Sequence, residues 1–315
     1  MTQIESSEKT DFFMYFNGEY VLSSQPIFTI SETAHMWGYA VSDTIRTFNK
    51  KPHLASDHIS RLLDSCSAAQ IDVKFSHDDI YKILLNIVKK NSPIAKEDED
   101  FLIVIYVIGN WNLYPSPSES YSTSSLIVHC SSIDFKNQSK LFSEGQKVRI
   151  SNIQQIPSNS ISPNIKHRSR MHFVLADKEV KSIEEDTLPL LLDHGGNITE
   201  TIHANFFMVK NNILQTPTDK NILSGITRRE LIFLAKHLDL QLQEKNLTPR
   251  DVLAADEAFF TSSSRIITPI SHINGIQIGT SIPGPMAKNL LEEYSKIVGL
   301  DISSQFLKQH HSAHN

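Results

Sequence analysis

The sequence predicts an α+β protein, and three observations predict it. Continuous apolar runs such as "FLIVIYVIG" at 101–109 read as buried strands. Stretches with apolar residues three and four apart read as amphipathic helices. Tight-turn signals such as Asn17-Gly18 join neighbouring strands into hairpins, where strict βαβ alternation would need helices between them.

The elements follow in order. "MYFNGEYV" is strand, turn, strand. "SDHISRLLDSCSAAQI" puts Ile59, Leu62, Leu63 and Cys66 on one helical face, with Ser56 as N-cap. "SHDDIYKILLNIVKK" repeats the design, with Ser76 and Asp79 as a capping box before Ile80, Ile83, Leu84 and Ile87. The run at 101–109 is a central strand, and "YPSPSESYSTSS" at 114–125 reads as a mobile Pro/Ser loop. "SLIVHC" is a second buried strand. Residues 131–145 are polar and aperiodic and read as a linker, which sets domains at 1–130 and 146–315. Beyond it come a strand at 147–152, a helix at about 169–184 and a meander through "LPLLLD", "HGGN", 197–210 and "ILQTP". Helix 228–240, strand "AFFTS", the stretch "IITPISHINGIQIG" and helix 286–298 complete the chain.

At 315 residues, with 40% hydrophobic and 21% charged, the chain suits two domains or one large α/β unit. A net charge of −5 gives no reason to expect nucleic acid or a membrane as partner. Cys66 and Cys130 sit in apolar contexts and read as small buried hydrophobes, and no metal-ligand spacing is present. The polar N-terminus lacks the apolar core of a signal peptide, so a cytoplasmic protein is expected. The histidines of "KQHHSAHN" read as a frayed terminus.

Several stretches carry chemistry. "NITETIHANFFMVKNNILQTP" at 197–217 reads as a buried hairpin, yet it holds Glu200 and Asn205 five residues apart. An unpaired buried carboxylate is costly, so Glu200 asks for a partner. Gly225-Ile226-Thr227 lies at a helix start, with Thr227 as N-cap and Glu230 three residues on; free amides and the dipole there suit an anion, or plain capping. Lys166 follows Pro163 and Ile165 just before a helix, where a lysine withdrawn from water is a nucleophilic amine. Ser262, Ser263 and Ser264 end an apolar strand, and Arg61 lies off the apolar face of its helix.

Their order carries more than each alone. Glu200-x-Ile202-x-x-Asn205-Phe206-Phe207, Leu214-x-Thr216 and Leu223-x-Gly225-Ile226-x-Arg228 resemble the signature of the class IV, pyridoxal-phosphate-dependent aminotransferases. "FNGEYV", "MWGYAVSDTIRTF", "DHISRLLDS" and "ADEAFFTSSSRIITPI" extend the resemblance over roughly residues 14–298. It implies a fold-type IV enzyme of two α/β domains with the cofactor between them, the larger C-terminal one barrel-like. It further implies a homodimer using pyridoxal 5'-phosphate to move an amino group between an amino acid, branched-chain ones included, and a 2-oxo acid. By this resemblance Lys166 is the Schiff-base lysine and the acid–base group. Glu200 pairs with the ring nitrogen and keeps it protonated. Arg61, the amides of Ile226 and Thr227, and the Ser263 hydroxyl bind the phosphate. Asn205 takes a structural role, holding its turn.

The departures lie on the substrate side, where Trp37, Ser42, Arg168, Arg170 and Ser264 are the candidate residues. Ser42 stands where many members have an aromatic residue. The strand arginine of branched-chain enzymes is absent at about Ile103, and the Arg-x-His of D-amino-acid enzymes is absent from "NWNLYPSPSE". Met171 stands where branched-chain enzymes have a tyrosine, and "IKHRSRM" is similar to the lyase segment except at Ser169. Two alternatives therefore stay open: an aminodeoxychorismate-lyase-like enzyme, and a cofactor-binding paralogue with little turnover.

Overall fold

The structure is a computed structural model, and it describes residues 10–25, 33–96, 99–111 and 124–311. The chain divides into two compact units, residues 1–133 with 166–169, and residues 134–165 with 170–315.

Among the described residues the first unit holds β1 (Phe13–Phe16), β2 (Glu19–Leu22), α1 (Thr33–Trp37), β3 (Ala40–Phe48), β4 (Lys51–Pro52), α2 (Ala55–Ala68), α3 (His77–Asn91), β5 (Phe101–Ile108) and β6 (Ser125–Ser132). The strands form one antiparallel sheet in the order β2-β1-β6-β5-β3-β4. Asn17 and Gly18 both take positive φ, the geometry a two-residue hairpin turn requires. α2 and α3 bury the expected stripes, Ile59, Leu62 and Cys66 on one and Ile80, Ile83, Leu84 and Ile87 on the other. Ser76 and Asp79 close the expected capping box. α2 differs. Its N-cap is Leu54, in the left-handed region without a side-chain cap, and Ser56 lies inside the helix and bonds His77 Nε2 at 3.0 Å. Cys66 and Cys130 are free and buried, and burial pushes both thiols up to about 12.

The second unit holds α4 (Phe135–Glu144), β7 (Gln146–Ile150), α5 (Met171–Ile183), β8 (Thr187–Leu190), β9 (Glu200–Thr201), β10 (Ala204–Lys210), β11 (Ile213–Thr216), α6 (Ile226–His237), β12 (Leu242–Glu244), α7 (Pro249–Leu253), β13 (Glu257–Ser262), β14 (Ile266–Ile273), β15 (Ile276–Gln277), α8 (Pro285–Val298) and α9 (Ile302–His311). The sheet runs β12-β11-β10-β13-β14-β7-β8, with β9 on β10 and β15 on β14. It closes on itself. Leu191 N–H bonds the Glu200 carbonyl, Thr199 N–H bonds the Leu191 carbonyl, and Leu192 bridges Ile198, so the continuation of β8 meets β9. The result is the barrel-like sheet the resemblance implies. Phe206, Met208, Phe260, Ile270, Val148 and Leu190 share its core.

Residues 131–145 are not a linker. Ser131 and Ser132 finish β6, and α4 follows within the second unit, held by Phe135 and Phe142 on either side of Phe306 from α9. Of the Pro/Ser loop, residues 112–123 lie outside the described residues, as do 1–9 and 312–315.

The capping difference is measurable. Ser76→Ala should lower unfolding free energy by about 1 kcal/mol in urea titrations, as loss of an N-cap does. Ser56→Ala should cost clearly less, because Ser56 caps nothing.

Candidate active site

In the first unit the carboxylate of Asp43, fully buried on β3, organises the charged side chains. Arg61 on α2 meets it in a fork: Nε donates to Oδ2 and Nη2 to Oδ1, each at 2.8 Å. His58 Nδ1 lies 2.7 Å from Oδ1. Burial depresses the His58 imidazole more than Asp43 raises it, so it is neutral at pH 7 and donates from Nδ1. Burial alone would raise the Asp43 carboxyl, but the Arg61 charge together with the hydrogen bonds from His58 and Arg61 outweighs it and holds the group well below the usual carboxylate range.

Lys166 sits beside this group. Its amide donates to Ser65 Oγ at 3.2 Å, and its carbonyl accepts from the Ser42 amide at 2.9 Å. His167 bridges Val41, and the Arg168 amide bonds the Ala40 carbonyl. The segment therefore runs antiparallel to β3 with its backbone pinned to both β3 and α2. Gly38, at φ 63°, allows the approach: a Cβ there would meet Ser169 Oγ at 2.6 Å. Ser42 Oγ is buried without a hydrogen-bond partner among the described residues. Trp37 and Trp111 are about half exposed, with ring centroids 5.2 Å apart. Arg168 lies 5.2 Å from the Tyr106 ring, and both line a cavity of about 600 Å³ with His35 and His129.

In the second unit, three segments converge on Glu200, which is buried on β9. Gln155 Nε2 donates to Oε1 at 3.0 Å, Asn205 Nδ2 donates to Oε2 at 3.1 Å, and the Leu223 amide lies 3.3 Å from both oxygens. His172 Nε2 in turn lies 2.9 Å from Gln155 Oε1. Asn205 therefore does more than hold its turn. It joins Glu200 to the Leu223 carbonyl, on the chain that leads into α6.

The start of α6 departs from the sequence reading. Its N-cap is Gly225, with no side-chain cap, and Thr227 is its second residue. Sterics explain this: a Cβ at position 225 would lie 1.9 Å from Asn205 Oδ1, so only glycine fits. The N-cap glycine itself offers no side chain to the amides of this first turn. Ser263 lies at the nearby end of β13, two residues past Thr261, which pairs with Asn205. Ser262 and Ser264 hydroxyls lie 3.2 Å apart, flanking Ser263. Arg170 donates to the Ile202 carbonyl and stacks on Phe173, so it supports the β9–β10 turn.

Each unit thus gathers its own share of the expected residues. The first unites Arg61 and Lys166, and the second unites Glu200, the α6 amides and the Ser263 turn. The sequence reading passed over Asp43, His58, Gln155 and His172. Asp43 left one signal, a carboxylate within a strand, and Gln155 left none.

The Asp43–Arg61 pair makes a stability prediction. Arg61→Ala strands a buried carboxylate and should cost about 3–5 kcal/mol in unfolding of the cofactor-free protein. The Asp43 carboxyl is depressed from 3.8, so its contribution is complete above that value and fades as pH falls below it. Asp43→Asn should flatten the acid limb of a pH–stability curve. An unchanged limb would discount the pair.

Comparison with known proteins gives the family and the fold. Residues 40–273 match the pattern of the family described as amino-transferase class IV. The branched-chain-amino-acid aminotransferase of Escherichia coli K12 is 26% identical over 297 residues, 92% of this chain and 93% of that protein. The D-alanine aminotransferase of Bacillus licheniformis is 26% identical over 276 residues, 87% of this chain and 93% of that protein. Among solved structures, the T.th. branched-chain amino acid aminotransferase complexed with N-(5'-phosphopyridoxyl)-L-glutamate superposes with a TM-score of 0.81 at 22% identity, covering 92% of this chain and 95% of that one. The chain belongs to the class IV aminotransferases, a family of pyridoxal-phosphate enzymes with the fold-type IV architecture.

Proposed function

We propose that this chain holds pyridoxal 5'-phosphate on Lys166 and moves an amino group between an amino acid and a 2-oxo acid. One observation carries the reading: Glu200 is a buried carboxylate oriented by Gln155, Asn205 and the Leu223 amide. Three neutral donors orient this carboxylate, and a cation such as a pyridinium is a complement that would offset its burial. The residues around it fit the rest of the cofactor. A glycine-capped helix start offers amides to a phosphate, and Ser263, half-buried, makes no hydrogen bond among the described residues.

When bound, the cofactor serves as the sink for electrons released at the substrate Cα. The chain's own residues do the rest. Glu200 keeps the ring nitrogen protonated. Lys166 Nζ would take up and return the proton at the substrate Cα, and its pinned backbone fixes where that amine starts. Asp43 sets the direction of Arg61, which with Ile226, Thr227 and Ser263 meets the phosphate. On the substrate side Trp37, Ser42, Arg168 and Ser264 stay in the reading, and Arg170 leaves it because its guanidinium serves the turn. We also read the enzyme as a cytoplasmic homodimer, in keeping with the family resemblance.

One observation favours the lyase reading. Met171 opens α5 at 70% exposure, where a branched-chain enzyme would bring a tyrosine to the cofactor. Mixing holoenzyme with single amino acids decides. An aminotransferase converts the bound cofactor to its pyridoxamine form and releases a 2-oxo acid, whereas a lyase leaves the cofactor spectrum unchanged at the end of turnover.

Two further measurements test the assignments. Borohydride treatment of the holoenzyme should fix the cofactor to the Lys166 peptide, and label on any other lysine would overturn that role. Glu200→Gln should slow Cα proton removal about 10²–10³-fold at matched cofactor occupancy, the usual cost of one preorganised electrostatic partner. The cofactor-free variant should also lose about 1–3 kcal/mol of stability, because an amide donor would then face a converging donor. Wild-type rates would remove Glu200 from the ring nitrogen.

A further inference from the structure

The turn between β13 and β14 carries a cation that its own unit does not neutralise. Arg265 ends the turn formed by Ser263, Ser264 and Arg265. Its Nη2 lies 2.7 Å from His203 Nε2. A guanidinium only donates, so His203 accepts, and its imidazole is neutral there. Arg265 Nε is buried with no hydrogen-bond partner, and the guanidinium has no carboxylate partner among the described residues. Arg228 in this unit has Glu244, Thr216 and the Pro217 carbonyl, and Arg149, whose Nε also makes no hydrogen bond, still has a carboxylate, Glu184, at 3.8 Å. Burial pushes the Arg265 guanidinium down to about 10, which leaves it charged at neutral pH.

Its position adds to this. Through His203 the turn touches the β9–β10 turn, which leads directly from Glu200 to Asn205. Ile266, the next residue, holds φ 64°, a region β-branched residues avoid. A turn held in that conformation presents Arg265 from a backbone fixed by its surroundings. Arg168, the competing cation of the first unit, is exposed and lies over an aromatic ring. A desolvated charge gains more from an anion than a solvated one.

We propose that Arg265 is a specificity-determining anchor for a carboxylate of the amino-acid and 2-oxo-acid substrates. The proposal rests on the aminotransferase reading above. Its planar fork suits a carboxylate, and every such substrate carries one beside the reacting carbon. Dicarboxylic substrates carry a second.

The test uses holoenzyme and two acids that cannot react, 4-methylvalerate with one carboxylate and glutarate with two, titrated by calorimetry into wild type, Arg265→Met and Arg265→Lys. The methionine variant should bind at least tenfold more weakly, and lysine should recover part of the loss. Weakening of both acids assigns the carboxylate beside the reacting carbon. Weakening of glutarate alone assigns a side-chain carboxylate. Wild-type affinity for both acids in Arg265→Met overturns the proposal. So does a fall in cofactor affinity with acid binding unchanged, which would give Arg265 to the phosphate. If Arg265→Met does not fold, Arg265→Lys and the wild type decide. Wild type must bind 4-methylvalerate at least tenfold more tightly than its uncharged amide, and the lysine variant must narrow that ratio; an equal ratio sinks the idea. A wild type that takes up no cofactor sinks the aminotransferase reading itself, an outcome distinct from failure of Arg265.

Discussion

The grip on the Glu200 carboxylate is the constraint from which much of the second unit follows. Its donors come from three places: Gln155 beyond β7, Asn205 on β10 and the Leu223 amide ahead of α6. Its own carbonyl accepts from Leu191 and so helps to close the barrel. One residue thus serves the sheet with its backbone and orients a charge with its side chain. The bond from Asn205 to the Leu223 carbonyl brings the chain close, and Asn205 Oδ1 then leaves room only for glycine at 225. A glycine cap leaves the first amides of α6 without a side chain of their own. The arrangement that orients this carboxylate therefore also bares a helix start suited to an anion, as the proposed cofactor site requires.

The first unit applies the same logic with the charges reversed. There the buried carboxylate, Asp43, is the orienting group and the functional cation, Arg61, is the one oriented. The neutral state of His58 matters to this. A second positive charge on Asp43 would compete with Arg61 for the same oxygens, and burial of the imidazole prevents it. Both units thus use a buried hydrogen-bonded carboxylate to set direction, and removing a partner from either strands polar groups in the interior.

What the sequence revealed follows the range of the interactions concerned. The hairpin at Asn17-Gly18, the Ser76–Asp79 box and the stripes of α2 and α3 depend on residues within one turn or two, and each is present. α4 was illegible because its stability comes from far along the chain. Phe135 and Phe142 look isolated in a polar stretch until Phe306 of α9 packs between them. Thr227 is a sound N-cap by composition, but the close approach of Asn205 moves the helix start to Gly225. Gln155 shows the limit most plainly. An ordinary glutamine in an irregular segment acquires its place only when the fold brings Glu200 and His172 to its two ends.

The same contrast bears on the residues proposed for the cofactor and for the substrate. Lys166, Glu200 and the α6 amides are set by backbone pairings that tolerate little displacement. A substrate-side charge has no such obligation and can move among turns. Ile103, close to where the resemblance to branched-chain enzymes implies an arginine, is fully buried on β5 opposite Ile45. A guanidinium there would be desolvated, and the neighbouring Asp43 carboxylate, opposite Ile105, is already engaged by Arg61 and His58, so the cost would be several kcal/mol. In this sheet an apolar residue suits the position, and the cation proposed for the substrate, Arg265, sits on a turn, where a backbone can present it without rearranging the core.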